Sequence, residues 1–551
     1  MEEKKEEVSV RYRGWKSMPY VIGNETFEKL GTIGTTANLL VYLTTVYHLP
    51  SVHAATLINF FSGTTNLAPL LGAFLCDTFL GRYTTIAAAS LSSCLGMLLL
   101  TLTAALRSLH PPPCFSSSSC QGPTHCQMAA LLASFAFLVL GAGGIRPCNL
   151  AFGADQFDPR TDSGRRGIAS FFNWYYFTFT VAMMLSATLI IYIQSNVSWA
   201  IGLAVPAALM ALSCALFFMG TRLYVRVRPE GSPFTSFARV LVAAARKRRV
   251  PAPPSADDLF DPPHQSKLVA KIAYTDQFRC LDKAAVVTAE EASPWRLCTV
   301  QQVEEVKCLA RIMPVWSAGI VYFIVITQLG TYVVFQALQM DRRLTRSSAF
   351  EVPAGSMVVF NMLALTVWIP VYDRVVVPAL RRVTGKEGGI SQLQRIGVGL
   401  VLSVATMLVA AAVEQRRRRL GAEGVRMSFL WLVPQQVVAG MSEAFAAIGQ
   451  TELYYKQFPE NMRSVAGALF FLAFAVASYA SGFMVAAVHR TTGWLAQDLN
   501  EGRVDLFYLT VAAIAAANVC YFLVCARWYR FKNTTHDLEL PATANTIASK
   551  V

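Results

Sequence analysis

The sequence is poor in charge and lacks the patterns that mark soluble proteins and enzymes. Of its 551 residues, 15% are charged and 54% are hydrophobic, and the mean hydropathy is +0.42. This composition lies outside the range of an ordinary soluble domain. No HExxH-type metal site, no paired nucleophile and base and no sizeable domain outside the membrane is evident. We therefore expect neither an enzyme nor a receptor, and no cofactor or metal.

The cysteines also lack a functional pattern. The chain has 12 of them, with no CxxC pair or metal-ligand spacing, and most lie in apolar runs, where Cys acts as a small hydrophobe. Cys114, Cys120 and Cys126 cluster between two such runs, in a loop that we place outside the membrane. A disulfide between two of them is compatible with that location, but the spacing does not select the pair.

What the sequence does contain is a series of apolar runs, each long enough for a helix that crosses a bilayer core of about 30 Å. We predict twelve membrane helices, at 29–49, 54–79, 84–106, 127–153, 169–194, 198–220, 309–339, 353–377, 392–414, 428–456, 464–489 and 505–528. The fold class is therefore an all-α membrane protein.

A long polar segment separates six predicted helices from the other six. It contains the basic run Arg246–Arg249 and a proline-rich stretch, which indicates a cytoplasmic location under the positive-inside rule and places both termini in the cytoplasm. The basic run 416–419 opposes this topology, because it falls in a predicted outer loop. The predicted units are a start segment 1–28, a six-helix bundle 29–220, a linker 221–308, a second bundle 309–528 and a tail 529–551.

The net charge of +14 could suggest nucleic acid as a partner. The basic residues are instead scattered over loops that flank the membrane, where anionic lipid headgroups attract them. We expect membrane lipids as partners and no nucleic acid. Residues 1–16 lack an apolar core and cleavage site, so we expect no signal peptide.

Charged residues within apolar helices cost about 2.5 to 3.5 kcal/mol each on insertion scales, so they commonly serve a function. Near the start of helix 1, Glu25, Glu28 and Lys29 share one helical face. Two carboxylates that share one cation in a low dielectric cannot both ionise cheaply, so one is expected to bind a proton reversibly near neutral pH. The alternative is a solvated charge cluster just before the membrane.

Two further charges lie deeper in the predicted helices. Arg146 follows a glycine-rich stretch and precedes Pro147, and a buried guanidinium there requires either a protein carboxylate or an anionic substrate. Glu443 in helix 10 lines a cavity or forms an ion pair between helices. Asp77 and Arg82 flank a tight turn after helix 2, where we interpret them as a structural gate on the cytoplasmic side.

Several of these segments resemble one known family. The spacing from Asp77 to Arg82 resembles the loop signature of the major facilitator superfamily. The segment 152–158, the ExxE[R/K] pattern at 25–29 and the helix 10 and 11 region from Glu443 to Ser464 are similar to the proton-dependent oligopeptide transporters. Within them, the plant nitrate and peptide transporter family is the nearest match. The resemblance covers nearly the whole chain.

This resemblance implies two six-helix bundles that rock around a central cavity in a proton-coupled symporter. Glu25, Glu28 and Lys29 would couple protons, and Arg146 and Glu443 would line the cavity. Arg146 stands where many relatives have lysine, and its planar fork of donors suits oxyanions. The resemblance also implies a plant protein of the plasma membrane, with protons and a small-molecule anion as ligands; it leaves the oligomeric state open.

Two departures from the family bear on the substrate. After the aromatic cluster of helix 5, Thr180 and Ala182 replace the Asn and Gly of peptide-transporting relatives, which disfavours peptides. Some nitrate-transporting relatives use a helix 7 histidine, and Ile326 stands at the matching position. The first candidate is therefore nitrate, followed by a larger organic anion, glucosinolate-like or hormone-like, and then by peptides.

The predicted topology can be tested with protease-sensitive tags in intact cells. Tags at residue 255 and at the C-terminus should be protected from external protease, whereas a tag near Ser117 should be cut. Western blots before and after permeabilisation provide the measurement and its control. Cleavage of the tag at 255 in intact cells would contradict the cytoplasmic location of the linker.

Overall fold

The structure is a computed structural model of the chain. It describes residues 12–113, 121–158, 161–226, 233–251, 259–262, 271–287, 293–344, 350–385, 389–458, 463–496 and 498–531. These residues form helices joined by turns, together with isolated bridges. The side chain of Asp77, together with Cys114 and Cys120, lies outside what is described. Cys126 has a free, exposed thiol, and the predicted disulfide remains a prediction.

Twelve helical units follow the predicted order, which confirms the all-α fold class. Their bounds are α1 Met18–Thr36 with Leu39–Thr45, α2 Ser51–Leu75 with a π turn Cys76–Leu80, α3 Arg82–Ala105, α4 His125–Ala154, α5 Asp162–Leu185 with Ser186–Ile190 and Ile191–Asn196, α6 Trp199–Met219, α7 Val300–Leu338, α8 Val358–Val371 with Tyr372–Val376 and Val377–Thr384, α9 Gln392–Ala422, α10 Val433–Gln457, α11 Arg463–Thr491 and α12 Val504–Trp528. A linker helix, Pro233–Arg246, lies between α6 and α7.

Several helices extend beyond their predicted limits. Helix α1 begins at Met18 and not at 29, α7 begins at Val300 and not at 309, and α9 ends at Ala422 and not at 414. Hydropathy detects only the apolar part of a helix, whereas backbone hydrogen bonding and caps continue through polar turns. At α7, for example, the Thr299 side chain accepts a hydrogen bond from the backbone N–H of Gln302 in a capping box.

Eight helices of the described ranges are long and apolar enough to cross a membrane by length and composition. Of the other four, α1, α2 and α10 carry more polar residues, whereas the described stretch Val181–Asn196 of α5 is apolar but shorter than a membrane span. Two of them, α1 and α10, carry Glu25, Glu28, Lys29 and Glu443. The helices that a hydropathy criterion misses therefore include two that hold predicted site residues.

The twelve helices form two halves, α1–α6 and α7–α12. Helix α2 packs along α11, and the π turn of α5 meets the start of α8; these are the principal contacts between the halves. Aromatic rings fit against glycines at the first seam: a Cβ on Gly63 would lie 3.0 Å from the Tyr479 ring, and one on Gly482 would lie 3.1 Å from Phe60. The backbones of α2 and α11 can therefore approach closely.

Among the described residues, the buried apolar cores join the two halves at the end away from the linker. At the end away from the linker, residues of both halves share one core that includes Tyr42, Phe61, Tyr332 and Phe507. At the linker end, each half has its own core, around Phe152 and Phe217 in the first half and around Trp316 and Phe458 in the second. Apolar packing between the halves, in the part of the chain that the structure describes, is thus concentrated at the far end.

The basic run at 416–419 lies within α9, and its arginines have local partners. Arg417 forms a buried pair with Glu414, with Nη2 to Oε1 at 2.7 Å, and Arg418 pairs with Asp505 at 3.2 Å. The guanidinium of Arg416 lies over the Trp431 ring. Because carboxylates neutralise Arg417 and Arg418 and a ring covers Arg416, this run is weaker evidence for a cytoplasmic location.

The linker is fixed to the second half by a buried ion network. Lys307 of α7, which is fully buried, pairs with Asp282 at 2.7 Å and with Glu304 at 2.8 Å, and Arg311 pairs with Glu304 at 3.0 Å. Burial, followed by the hydrogen bond to Asp282, raises the pKa of Tyr274 to about 12, so its hydroxyl stays protonated and donates to Asp282. The network binds linker residues 274–282 to the base of α7.

Removal of one member of this network should destabilise the protein. Lys307→Met leaves Asp282 and Glu304 buried without their shared cation, which we expect to cost about 3 to 5 kcal/mol. Thermal unfolding of the purified protein in detergent should show a drop of several degrees in Tm. Arg279→Met, which removes an exposed pair with Asp276, is the matched control and should shift Tm little. Equal Tm values for the Lys307 and Arg279 variants would contradict the structural role of the network.

Candidate functional site

The predicted proton-coupling residues lie on one face of α1, and all three belong to this helix and do not precede it. The Lys29 Nζ is 2.8 Å from Glu28 Oε2 and 3.3 Å from Glu25 Oε1, and Thr32 Oγ1 donates to Glu28 Oε1 at 2.8 Å. Glu25 and Glu28 are each 3% exposed. The alternative of a solvated cluster ahead of the membrane helix is therefore wrong. Two buried carboxylates share one lysine.

Helices α4 and α5 complete the surroundings of Glu25. The Asn149 side-chain amide on α4 donates to Glu25 Oε2, and Tyr175 on α5 is also hydrogen-bonded to the Glu25 carboxyl. Asn24, the residue before Glu25, anchors α1 to α6, because its side-chain amide donates to Ser213 Oγ at 2.8 Å. The carboxyl of Glu25 is therefore held by groups from three helices.

Arg146 lies one helical turn before Asn149 on α4 and faces the seam between the halves. Its Nη1 donates to Asn66 Oδ1 at 2.8 Å and to the Thr65 carbonyl at 3.4 Å, both on α2. The guanidinium carbon is 6.0 Å from the centroid of the Phe471 ring on α11. Within the described residues no carboxylate lies at ion-pair distance from Arg146. Glu28 acts on it electrostatically from a longer distance.

Glu443 belongs to a separate polar pair in the second half. Asn361 on α8 donates to Glu443 Oε2 at 3.1 Å, and the buried Tyr322 of α7 lies close enough to interact electrostatically with Glu443. No ion pair of Glu443 is present among the described residues, so the alternative of an ion pair between helices has no support there. Ile326 is partly buried against the apolar core of the second half.

The structure brings together some predicted residues and leaves others apart. Glu25, Glu28 and Lys29 form one cluster. Arg146 lies one helical turn from Asn149, which contacts Glu25 of that cluster. Glu443 and Ile326 lie in the opposite half, with no direct contact to that cluster in the described part of the chain.

The predicted gate lies at the linker end of the first half. Asp77 falls in the π turn that ends α2, and Gly81, with φ of +73°, makes the sharp entry into α3 that only glycine adopts easily. Arg82 pairs with Asp155 at the end of α4. This ion pair joins two helices of the same half, so it stabilises that half and does not by itself connect the two halves.

Sequence reasoning missed the neutral residues of the site. Asn66, Asn149 and Asn361 each donate to or accept from a predicted charged residue. A signal was present, because an asparagine inside an apolar helix requires a polar partner. Phe471, which covers Arg146 from the other half, has no such signal among many apolar neighbours.

Chemically, the site offers two functions side by side. The α1 cluster can hold or release a proton, and the guanidinium of Arg146 can bind an anion with donors that Asn66 and Thr65 leave unused. No group of His, Cys, Asp and Glu suited to a metal ion occurs in the part of the chain that the structure describes. This arrangement fits the binding of a solute and a proton.

Comparison with known proteins identifies relatives of the chain over nearly its whole length. A sequence model described as the POT family matches residues 83–501. Protein NRT1/PTR FAMILY 2.11 of Arabidopsis thaliana is 53% identical, covering 98% of this chain and 92% of that protein. Protein NRT1/PTR FAMILY 2.9 of the same plant is 49% identical, covering 98% of this chain and 96% of that protein.

Solved structures share the fold. The crystal structure of an auto-inhibited POT family peptide transporter has a TM-score of 0.71 at 20% identity and covers 94% of this chain and 98% of its own. A peptide transporter of the POT family in complex with sulfate has a TM-score of 0.63 at 15% identity, with coverage of 94% and 96%. The twelve-helix arrangement is thus that of known transporters, and the chain belongs to the POT family of membrane transporters.

Proposed function

We propose that the protein is a proton-coupled symporter of an anionic solute and that Arg146 binds the anion. The observation that carries this proposal is the set of partners of Arg146, which are a neutral amide and a backbone carbonyl. A guanidinium stays charged at any relevant pH, and a permanent charge without a close carboxylate is costly in a low dielectric. An anion from the cavity would balance it.

The proton would bind at the α1 cluster. With both carboxylates ionised, Glu25 and Glu28 together exceed the charge of Lys29 by one, and both side chains are almost fully buried. Arg146 offsets part of this excess, because it interacts electrostatically with Glu28. One proton on the pair would neutralise the cluster without any contribution from Arg146.

These charges suggest how the two ligands are coupled. An anion bound to Arg146 would neutralise the positive charge that otherwise offsets the two carboxylates. Proton uptake by Glu25 or Glu28 would then become more favourable. Conversely, a proton on the pair would free Arg146 for the anion. By linkage, each ligand increases the affinity for the other.

Nitrate is the first candidate substrate, because a small planar oxyanion fits one fork of guanidinium donors. A larger organic anion, glucosinolate-like or hormone-like, is the second candidate. It is supported by the partly buried rings of Phe470, Phe471 and Phe474 on α11, of which Phe471 lies over Arg146. Two solved neighbours are named as peptide transporters, which keeps peptides third, although α5 departs from their pattern.

We further propose that the linker end is cytoplasmic and that the membrane is the plasma membrane. The closed far end would then face outside, and the structure would be the inward-facing state of an alternating-access cycle. The separate cores of the two halves at the linker end support this assignment. Rocking about the α2–α11 and α5–α8 seams would open the far end.

Neutralisation of the α1 carboxylates should uncouple transport. Glu25→Gln and Glu28→Gln each remove the group that would carry the proton, so uptake driven by an inward proton gradient should fall by at least tenfold at unchanged surface expression. Exchange of labelled for unlabelled substrate without a gradient should be less affected. Glu423→Gln, at an exposed position, is the control and should transport normally. Full gradient-driven uptake by both variants would contradict the assignment of proton binding to Glu25 and Glu28.

Two substitutions of Arg146 should distinguish the contribution of its positive charge to anion uptake from that of its planar guanidinium. Arg146→Lys keeps the charge and loses the fork, so uptake of any oxyanion should weaken severalfold; Arg146→Ala should abolish it, since Glu28 also loses a compensating charge. Uptake of labelled nitrate and of a bulky aromatic acid, normalised to surface protein, is the measurement. Phe471→Ala should reduce uptake of the aromatic acid more than that of nitrate. Wild-type uptake by Arg146→Ala would show that Arg146 does not bind the substrate.

A further inference from the structure

A cavity lies between α9 and α12 on the outer face of the second half, away from the seam between the halves. It has a volume of about 640 Å³, and apolar side chains form most of its wall, among them Leu393, Val401, Val519 and Phe522. Phe522, which is 1% exposed, is part of the apolar core beneath it. The side chains at the rim, including Val398 and Leu523, are 42% and 51% exposed.

Gly397 keeps this groove open. It lines the cavity opposite the ring of Phe522, and a Cβ at this position would lie 3.4 Å from that ring. The two helices pack closely along their lengths, so the missing side chain creates space between them that a longer residue would fill.

The mouth of the groove is polar and positively charged. Arg527, in the last turn of α12, lines it together with Ser391 and Gln394 at the start of α9. The Arg527 side chain is exposed, and it forms no hydrogen bond or ion pair with a residue that the structure describes. The next residue, Trp528, is 45% exposed, as expected for an aromatic side chain at a membrane interface.

The length of the groove matches one leaflet of a bilayer. From Leu393 to Leu402 the α9 wall rises nine residues, or about 14 Å at about 1.5 Å per residue. Half of a hydrocarbon core of about 30 Å is about 15 Å. A groove of this length that begins at the membrane interface beside Arg527 would end near the bilayer midplane.

From these features we infer that the groove between α9 and α12 is a binding site for one anionic glycerophospholipid. An acyl chain lies along Gly397 and Phe522, and the phosphate and anionic headgroup contact Arg527 at the linker end. The apolar wall fits the chain, and the guanidinium complements the negative headgroup. The site is independent of the transported substrate.

Photo-crosslinking tests this inference with the full chain in vesicles. A trace of phosphatidylglycerol with a diazirine on one acyl chain is added to a phosphatidylcholine background, and labelled peptides are mapped by mass spectrometry after irradiation. The label should concentrate at 393–402 and 519–527. Gly397→Leu, which fills the groove, should reduce this label severalfold.

The headgroup contact is tested with the same assay. Arg527→Gln, at an exposed position, should reduce labelling by phosphatidylglycerol severalfold and leave labelling by photoactivatable phosphatidylcholine unchanged. Arg382→Gln, another exposed arginine at the linker end, is the matched control and should change neither. Thermal unfolding confirms that each variant is folded. Label spread evenly over the outer helices, undiminished label in Gly397→Leu, or an equal effect of Arg527→Gln on both lipids would overturn the inference.

Discussion

Charge buried in a membrane protein must be balanced nearby, and this constraint organises the site between α1 and α4. Glu25 and Glu28 share Lys29, while the partners of Arg146 among the described residues are neutral and Glu28 acts on it electrostatically at longer range. Neither set is balanced completely on its own. Binding of a proton at one and of an anion at the other would balance both, which is the physical basis of the proposed symport.

The architecture serves this charge arrangement. The two halves share a core at the far end and meet along α2 and α11, where glycines accept the rings of Phe60 and Tyr479. Arg146 extends from the first half to the ring of Phe471 in the second, so any rocking of the halves changes its surroundings. The proposed anion site therefore lies at the seam about which the halves would rock. The linker is fixed to the second half by Lys307 and its partners and would move with it.

Much of this could be predicted from the sequence, and the limits have physical reasons. Apolar runs revealed the helices, because burial in lipid requires them, but they did not reveal helix ends such as Met18, where polar residues continue the backbone hydrogen bonding. Charged residues such as Arg146 were recognisable because placing a charge in an apolar segment costs free energy. Their neutral partners, Asn66 and Asn149, depend on how helices distant in sequence pack together, and a single sequence does not contain that information.

The central claim is that the anion and the proton bind with mutual dependence at adjacent sites. Calorimetric titration of the purified protein with substrate, in buffers that differ in ionisation enthalpy, gives the number of protons taken up per anion bound. The account predicts net proton uptake, up to one proton per anion, near neutral pH, and almost none in the double variant Glu25→Gln, Glu28→Gln. Anion binding with no proton uptake by the unaltered protein at any pH between 5 and 8 would contradict it.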